Sequence, residues 1–546
     1  MESLWLDTSP PIPADPFVPG GSYDTVVVGA GLTGLATAVM LARGGQRVAV
    51  IEARRTGAVT TGNTTAKISL LQGTVLSEVA RHHDVSTAAA YVAANRRGQE
   101  WLLRFCDSSG VGYETRDAWT YAVTPDGAAA LAEERDACRA AGLEVHSTTE
   151  TELPFQVQAA LRLPDQAQFH PLQALSALAA ELRSLSGVLF EGVRVTEVHH
   201  TDAGKVRVVT SPGDLEASSV VLATGIPILD RGGYFAVVKP MRSYASAFPV
   251  TGDVPEGMYL SADSPSRSLR TAEVNGTRYL LAGGNGHPVG RASHTRDRVN
   301  GLHEWTRQNF AVDQARYGWS AQDYSPASSV PYVGELPLLG RNIYAATGFN
   351  KWGMTNGVAA ALSLAAGILG HADQDAALYK ARISVPDAMT TVKDNAEVGL
   401  QMISGWAGGL SRTTGTEPPE GLGMVVREGG SPVAVCTVNG VTTRRSAICP
   451  HLHGILAWND AEASWDCPLH GSRFGADGEV LDGPAVRAAS VPGSDQPDRS
   501  SQTTGHRLWS PSGSSGSLGA GPPARPTDRH PRDERSPCVH ARPAPS

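Results

Sequence analysis

The sequence predicts an α/β dinucleotide-binding domain with an antiparallel β-sheet, then a small all-β domain built around a metal centre, then a tail without a core. Three observations carry this. A glycine fingerprint lies between two apolar strands near the N-terminus, two Cys–His half-sites lie between Cys449 and His470, and the composition changes abruptly after about Val486. The 546 residues, 41% hydrophobic, can bury two or three cores. A net charge of -8 gives no electrostatic reason to expect nucleic acid, and no apolar run reaches membrane-spanning length. Residues 1–22 read as an extended, proline-rich lead-in, lacking the basic start and apolar core of a secretory signal. The six cysteines form no disulfide framework, which points to a reducing compartment and hence the cytoplasm.

The first chemical element is YDTVVVGAGLTGLATAVMLARGGQRVAVIEARR, beginning at Tyr23. It reads as a strand over Val26–Val28, a glycine turn, an amphipathic helix and a second strand over Val48–Ile51. Gly29 permits the tight turn, Gly31 lets the backbone approach a pyrophosphate, and Gly34 lets helix and strand pack closely. The helix N-terminus then faces the phosphate charge. Glu52, eighteen residues beyond Gly34, is placed to bond a ribose 2′-hydroxyl and to repel an NADP 2′-phosphate.

The second element is CPHLHGILAWNDAEASWDCPLHGSRF, Cys449 to Phe474. Cys449 and His451 form one half-site and Cys467 and His470 the other, with fifteen residues between His451 and Cys467. One thiolate and one imidazole per half-site suit a [2Fe–2S] cluster with two Cys on one iron and two His on the other. A Cys₂His₂ zinc site is the competing reading, although zinc fingers usually group Cys with Cys and His with His.

Glu417 to Ala485 resembles the Rieske family, which implies iron ligation by Cys449, His451, Cys467 and His470. High-potential members carry two further cysteines bridging the cluster loops; here those positions are Gly454 and Leu469. Ser472 stands where a family serine bonds a cluster sulfur, whereas Phe474 replaces a tyrosine donor. Fewer donors to the sulfurs imply a potential in the lower half of the Rieske range. His453 reads as a bystander. The N-terminal stretch resembles the flavin-binding part of the glycine/D-amino-acid oxidase-like FAD oxidoreductases, especially the subgroup with a C-terminal Rieske domain. That resemblance implies FAD as the dinucleotide and makes Thr64, Thr65 and Lys67 flavin neighbours; a solvated Lys67 is the alternative.

The fold class is thus an α/β, Rossmann-like FAD-binding domain with an antiparallel β-sheet substrate domain, plus a small all-β Rieske domain and a disordered C-terminal tail. Residues 23–372 form the oxidoreductase domain, 373–415 a connector with a helix, 416–486 the Rieske domain and 487–546 the tail. From Val75 to about Leu185 the pattern is mostly helical, with caps at Ser86 and Asp126. His82 and His83 read as solvated surface, and His170, before Pro171, as structural. Residues 188–225 return to strands, ending in a sharp turn at Gly225 that closes over the nucleotide. YFAVVKPMRSYASAF, with Lys239, Arg242 and Tyr244, reads equally as a sheet floor under a substrate pocket or as an exposed sheet face. Ile343–Thr347 reads as a strand, Gly348–Gly357 as a loop and Val358–Leu369 as an apolar helix. In the family this is the second flavin contact, carried here by Gly348, Gly353 and Gly357. Lys351 bears on the same flavin edge or is only a surface residue. After about Val486 the tail has no Ile, Phe, Tyr, Met or Lys, and its Arg-rich, Pro-rich composition suggests a shifted reading frame.

Two redox centres in one chain imply an enzyme that oxidises a small amine or amino-acid-like substrate by hydride transfer to flavin. Electrons then pass singly to the cluster and to an external acceptor. Arg242 or Lys351 is expected to hold a substrate carboxylate, and Lys67 and Tyr244 complete the expected catalytic set. The alternative is a non-catalytic flavin and iron–sulfur redox sensor or electron-transfer protein. Because the two sites are remote in sequence, Cys467→Ser is expected to remove the cluster and leave FAD bound.

Overall fold

Short runs of Val and Ala, buried on both faces, pair in parallel to make the first sheet. Ser22–Val28 sits between Leu215–Leu222 and Val48–Ile51; Ile343–Thr347 and Val188–Phe190 extend it on either side, all in parallel. Tyr332–Glu335 closes one edge antiparallel, and the hairpin Val195–His200/Val206–Thr210 branches from Leu215–Leu222. The helices Leu32–Arg43 and Gly353–Leu369 pack together on this sheet; a Cβ at Gly357 would lie 2.5 Å from Thr33 Oγ1, so that glycine serves helix–helix approach. The structure, a computed structural model, describes residues 1–229, 233–336, 341–379 and 417–492.

The second sheet has nine strands; near one edge Val238–Pro249 pairs antiparallel with Thr277–Pro288 and with the edge strand Tyr317–Pro326. Its ladders are antiparallel except where Met258–Ser261 meets Tyr113–Ala122. The small β domain adds a three-stranded sheet over Gly423–Ser446 and a four-stranded one over Ala457–Asp482. Both parts of the chain fall within one compact unit. Among the described residues no helix is long and apolar enough to cross a membrane.

Several expectations are corrected. The lead-in is not wholly extended: Leu4–Thr8 is a helix capped by Ser3, and Leu4 and Trp5 are buried. Trp5 donates its indole N–H to the Thr64 carbonyl and lies under the Arg270 guanidinium, contacts that no local pattern reveals. The stretch read as mostly helical contains the strands Tyr113–Ala122 and Ala159–Phe169. The first is polar over its N-terminal half, where its side chains stay half-exposed, which hides its alternation. The helix caps are Asp84 and Thr124 rather than Ser86 and Asp126; each accepts a bond from the amide three residues on, Thr87 and Gly127. The apolar helix read as Val358–Leu369 starts at Gly353, five residues earlier. His82 and His83 are not simply solvated, because they bond Ser329 and the Ser328 carbonyl. His170 precedes the helix Pro171–Ser184 without a side-chain capping bond and packs edge-on against Trp5, in keeping with the structural reading.

The small domain packs beyond Val486: Ala489 is buried, donates to Gly478 O, and the Ser490 carbonyl accepts from Ser446 N. The expected connector helix and most of the expected tail, with its proposed frame shift, lie outside the described residues.

Candidate functional site

The fingerprint builds a cradle with one open direction. A Cβ at Gly29 would sit 2.5 Å from Ala223 O, and one at Gly34 would sit 2.0 Å from Gly29 O, so both positions are closed by backbone. At Gly31 a Cβ would meet only Thr61 Oγ1, at 3.2 Å. The rest of its surroundings is a cavity lined by Gly29, Gly31, Leu32 and Thr33 at the helix start and by Glu52 at the end of the second strand. No side chain caps this helix, and Leu32 N donates to Thr61 Oγ1, which leaves first-turn amides for a phosphate. The Glu52 carboxylate accepts from Ala30 N and Arg54 N, both at 2.9 Å, and burial raises its pKa. A pyrophosphate over the glycines and a ribose at Glu52 therefore fit the residues present.

The same cavity runs past Thr224 and Gly225 to Gly348, Phe349, Gly353 and Met354. Gly225 and Gly348 have positive φ, +78 and +81, and Thr347 Oγ1 donates to Gly225 O, which joins the two strand ends. Gly225, Gly348 and Gly353 are thus brought to the dinucleotide site, while Gly357 is spent on packing. From the loop after Glu52 the lining residues are Ala53, Arg54 and Gly57 to Thr61. Thr64, Thr65 and Lys67 lie beyond it. The Thr64 and Thr65 carbonyls are held by Trp5 and Arg270. Lys67 is buried and donates to Tyr259 O and Ser268 Oγ; burial, with the nearby Arg270 charge, lowers its pKa to about 7.

Asp323, on the strand Tyr317–Pro326, also lines the cavity. Burial pushes its carboxyl up to about 6, and it accepts a hydrogen bond from the backbone N–H of Lys351. A lone aspartate in a strand belongs to no motif, and sequence reasoning missed it.

In the small domain the two half-sites sit on adjacent turns. Cys449 N donates to Gly454 O and Cys467 N to Ser472 O, each at 2.8 Å, folding each loop around its cysteine. Cys449 and Cys467 are buried and mutually hydrogen-bonded through sulfur, and the His451 and His470 rings lie 5.1 Å apart, nearly perpendicular. Cysteine beside cysteine and imidazole beside imidazole is the donor set of a binuclear cluster with unlike irons. A Cβ at Gly454 would lie 2.8 Å from Leu469, so the positions that carry a disulfide in high-potential relatives are neighbours here without one. Ser472 lies within hydrogen-bonding reach of the Cys449 sulfur, and Phe474 is fully buried in the domain core. His453, with φ +59, only turns the loop.

The cluster loops are docked on the second sheet. Gln322 Nε2 donates to Gly471 O at 2.8 Å and Arg291 Nε to Pro468 O at 3.1 Å, while the His470 ring packs edge-on to Phe235 at 5.3 Å. Arg242 forks onto Glu462 at 2.5 and 2.6 Å, and Arg473 approaches the same carboxylate at 3.1 Å. The Rieske-like domain thus packs against the sheet face carrying Arg242, and a cavity between them is lined by Arg242, Gln322, Glu462 and Arg473. Arg242, expected as a substrate anchor, is held here by Glu462 and Ser320. Tyr244, expected in the catalytic set, is buried with its hydroxyl 3.1 Å from His287 Nε2.

Comparison with known proteins agrees with this geometry. The model of the family described as FAD dependent oxidoreductase matches residues 24–366, and that of the Rieske [2Fe-2S] domain matches 416–493. The chain is an FAD-dependent oxidoreductase with a Rieske domain. Its cofactors are accordingly FAD and a [2Fe–2S] cluster. A Bacillus subtilis (strain 168) protein, YhfW, whose name assigns it a Rieske 2Fe-2S centre, is 30% identical over 493 residues, 89% of this chain and 96% of its own. The fold of the FAD-dependent part is shared with glycine oxidase from Geobacillus kaustophilus, at 19% identity and a TM-score of 0.55 over 66% of this chain and 98% of that one. It is shared too with an L-amino acid deaminase from Proteus myxofaciens, at 16% identity and a TM-score of 0.55 over 68% and 95%.

Proposed function

We propose that this FAD-dependent oxidoreductase dehydrogenates a small amine or amino-acid-like substrate and delivers the electrons one at a time, through its Rieske domain, to an external acceptor. Bound FAD supplies a two-electron acceptor for a C–H bond beside nitrogen, and the cluster supplies a one-electron carrier. The observation that carries this reading is the docking of the Pro468–Gly471 turn on Gln322, beside Asp323 and Tyr324, which line the flavin cavity. Electron transfer between the two sites then needs no encounter between separate proteins.

The substrate class rests on charge. Asp323 presents a carboxylate to the cavity, with the Lys351 ammonium inside its Coulomb range. That carboxylate suits a substrate ammonium and is suited to receive its proton, whereas Lys351 is not among the residues that line the cavity. Names of structural neighbours that act on glycine, L-proline and L-amino acids support the same class. The cytoplasm remains the proposed location, and the acceptor is of unknown identity.

The test is anaerobic mixing of the oxidised protein with a panel of amines and amino acids. A substrate should bleach the flavin band and then raise the EPR signal of the reduced cluster, and Asp323→Asn should raise the concentration needed by roughly tenfold or more. Flavin bleaching with a cluster that stays oxidised would remove the Rieske domain from the path. If no amine in the panel reduces the flavin, the redox-sensor alternative takes precedence.

A further inference from the structure

We propose that the FAD site is composite: Leu481–Val486, from the Rieske domain, forms one wall of it, so that FAD binding and cluster binding stabilise each other. The cavity bounded on one side by the fingerprint and Glu52 is bounded on the other by Leu481, Asp482, Gly483, Ala485 and Val486. Three side chains of the larger domain hold this wall by its carbonyls. Arg194 donates to Val480 O at 3.1 Å, Arg54 to Leu481 O at 3.2 Å, and the Tyr324 hydroxyl reaches Gly483 O at 3.5 Å. Arg54 and Arg194 themselves line the cavity beside Glu52, so the wall lies over the adenosine half of the nucleotide.

The wall is also tied to the cluster loop. Ala485 N donates to Ser472 Oγ at 3.0 Å, while the Ser472 carbonyl accepts from the N–H of the ligand Cys467 at 2.8 Å. Asp482 pairs in register with Arg473, the residue after Ser472. A short chain of hydrogen bonds thus runs from a cluster ligand to the wall of the flavin cavity. A cluster that orders the Cys467–Ser472 turn also orders Ala485 and its neighbours. FAD that packs against the ordered wall favours the ordered turn in return, since coupling between two binding events is reciprocal.

Two full-length measurements test this, neither reading activity. Apoprotein freed of FAD is titrated with FAD by flavin fluorescence, in the cluster-loaded wild type and in the cluster-free Cys467→Ser variant. The variant should bind FAD about tenfold more weakly, within the usual range of such couplings. The second arm uses only wild-type chain. Under an iron chelator, protein stripped of FAD should lose its cluster severalfold faster than FAD-loaded protein, and Ser472→Ala should shrink that difference. Cluster loss at the same rate with and without FAD overturns the proposal, even if Cys467→Ser proves too unstable to titrate. Equal FAD affinities in the first arm overturn it as well.

Discussion

At the scale of single residues, the three fingerprint glycines are separated by what a methyl group would strike. Gly34 faces the Gly29 carbonyl at 2.0 Å, a backbone atom that cannot turn aside, whereas Gly31 faces Thr61 Oγ1 at 3.2 Å and then the cavity. Gly34→Ala should therefore damage the fold, by about 1–3 kcal/mol or more, whatever its effect on flavin. Gly31→Val should leave the unfolding transition of the flavin-free protein close to wild type and yield protein without FAD. Denaturant unfolding of both apoproteins, beside flavin content after gel filtration, checks the pair. Full FAD occupancy in Gly31→Val would mean that the pyrophosphate lies elsewhere.

At the scale of elements, the contact between the strand Val238–Pro249 and the turn bearing Glu462 decides how the Rieske domain is held. Burial by itself would raise the Glu462 pKa, but the guanidinium groups of Arg242 and Arg473 more than offset it and hold the carboxyl well below its usual range. The stabilisation it gives is therefore present above the ordinary carboxylate pKa, near 4.5, and is lost as pH falls from there toward the depressed folded value. Arg242→Ala leaves a buried carboxylate with Arg473 as its remaining charged partner and should cost about 3 kcal/mol. It should also make the acid-side loss of stability shallower than in wild type, as denaturant midpoints between neutral and acidic pH will show. An unchanged midpoint at neutral pH would mean that the ion pair is not holding the interface. This contact also marks where sequence reading stops. The fingerprint and the cluster half-sites were legible because their chemistry is local: strand, turn and helix follow one another, and each thiolate lies within three residues of its imidazole. Arg242 and Glu462 are 220 residues apart, and nothing in either neighbourhood names the other. The same holds for Trp5 on Thr64, 59 residues away, which gave a supposedly extended lead-in its helix. Thr64 and Lys67 were placed at the flavin by resemblance alone, and the cavity is lined by the preceding turn, Gly57 to Thr61.

At the scale of the whole molecule, docking joins two sites that the chain keeps hundreds of residues apart, and this reverses one expectation. Remoteness in sequence suggested that losing the cluster would spare FAD; the shared wall at Leu481–Val486 makes weakened FAD binding the expected result. Deleting the Rieske domain is for the same reason a poor test of electron flow, since it would also open the flavin cavity. A cleaner test keeps the chain whole. Cys467→Ser, supplied with enough FAD to saturate its weakened site, retains the flavin and lacks the carrier. An oxidase that passes both electrons to oxygen gains nothing from a tethered cluster, whereas a dehydrogenase gains a high effective concentration of its own electron acceptor. Wild-type protein, reduced anaerobically, should therefore reoxidise slowly with oxygen and faster with a bulky one-electron acceptor such as cytochrome c, which cannot enter the flavin cavity. The variant should be reduced at the wild-type rate and reoxidised by cytochrome c severalfold more slowly, with its slow reaction toward oxygen unchanged. Equal rates of cytochrome c reduction by the two proteins would place the cluster off the path, and its role would then be to hold the flavin site and to sense redox state.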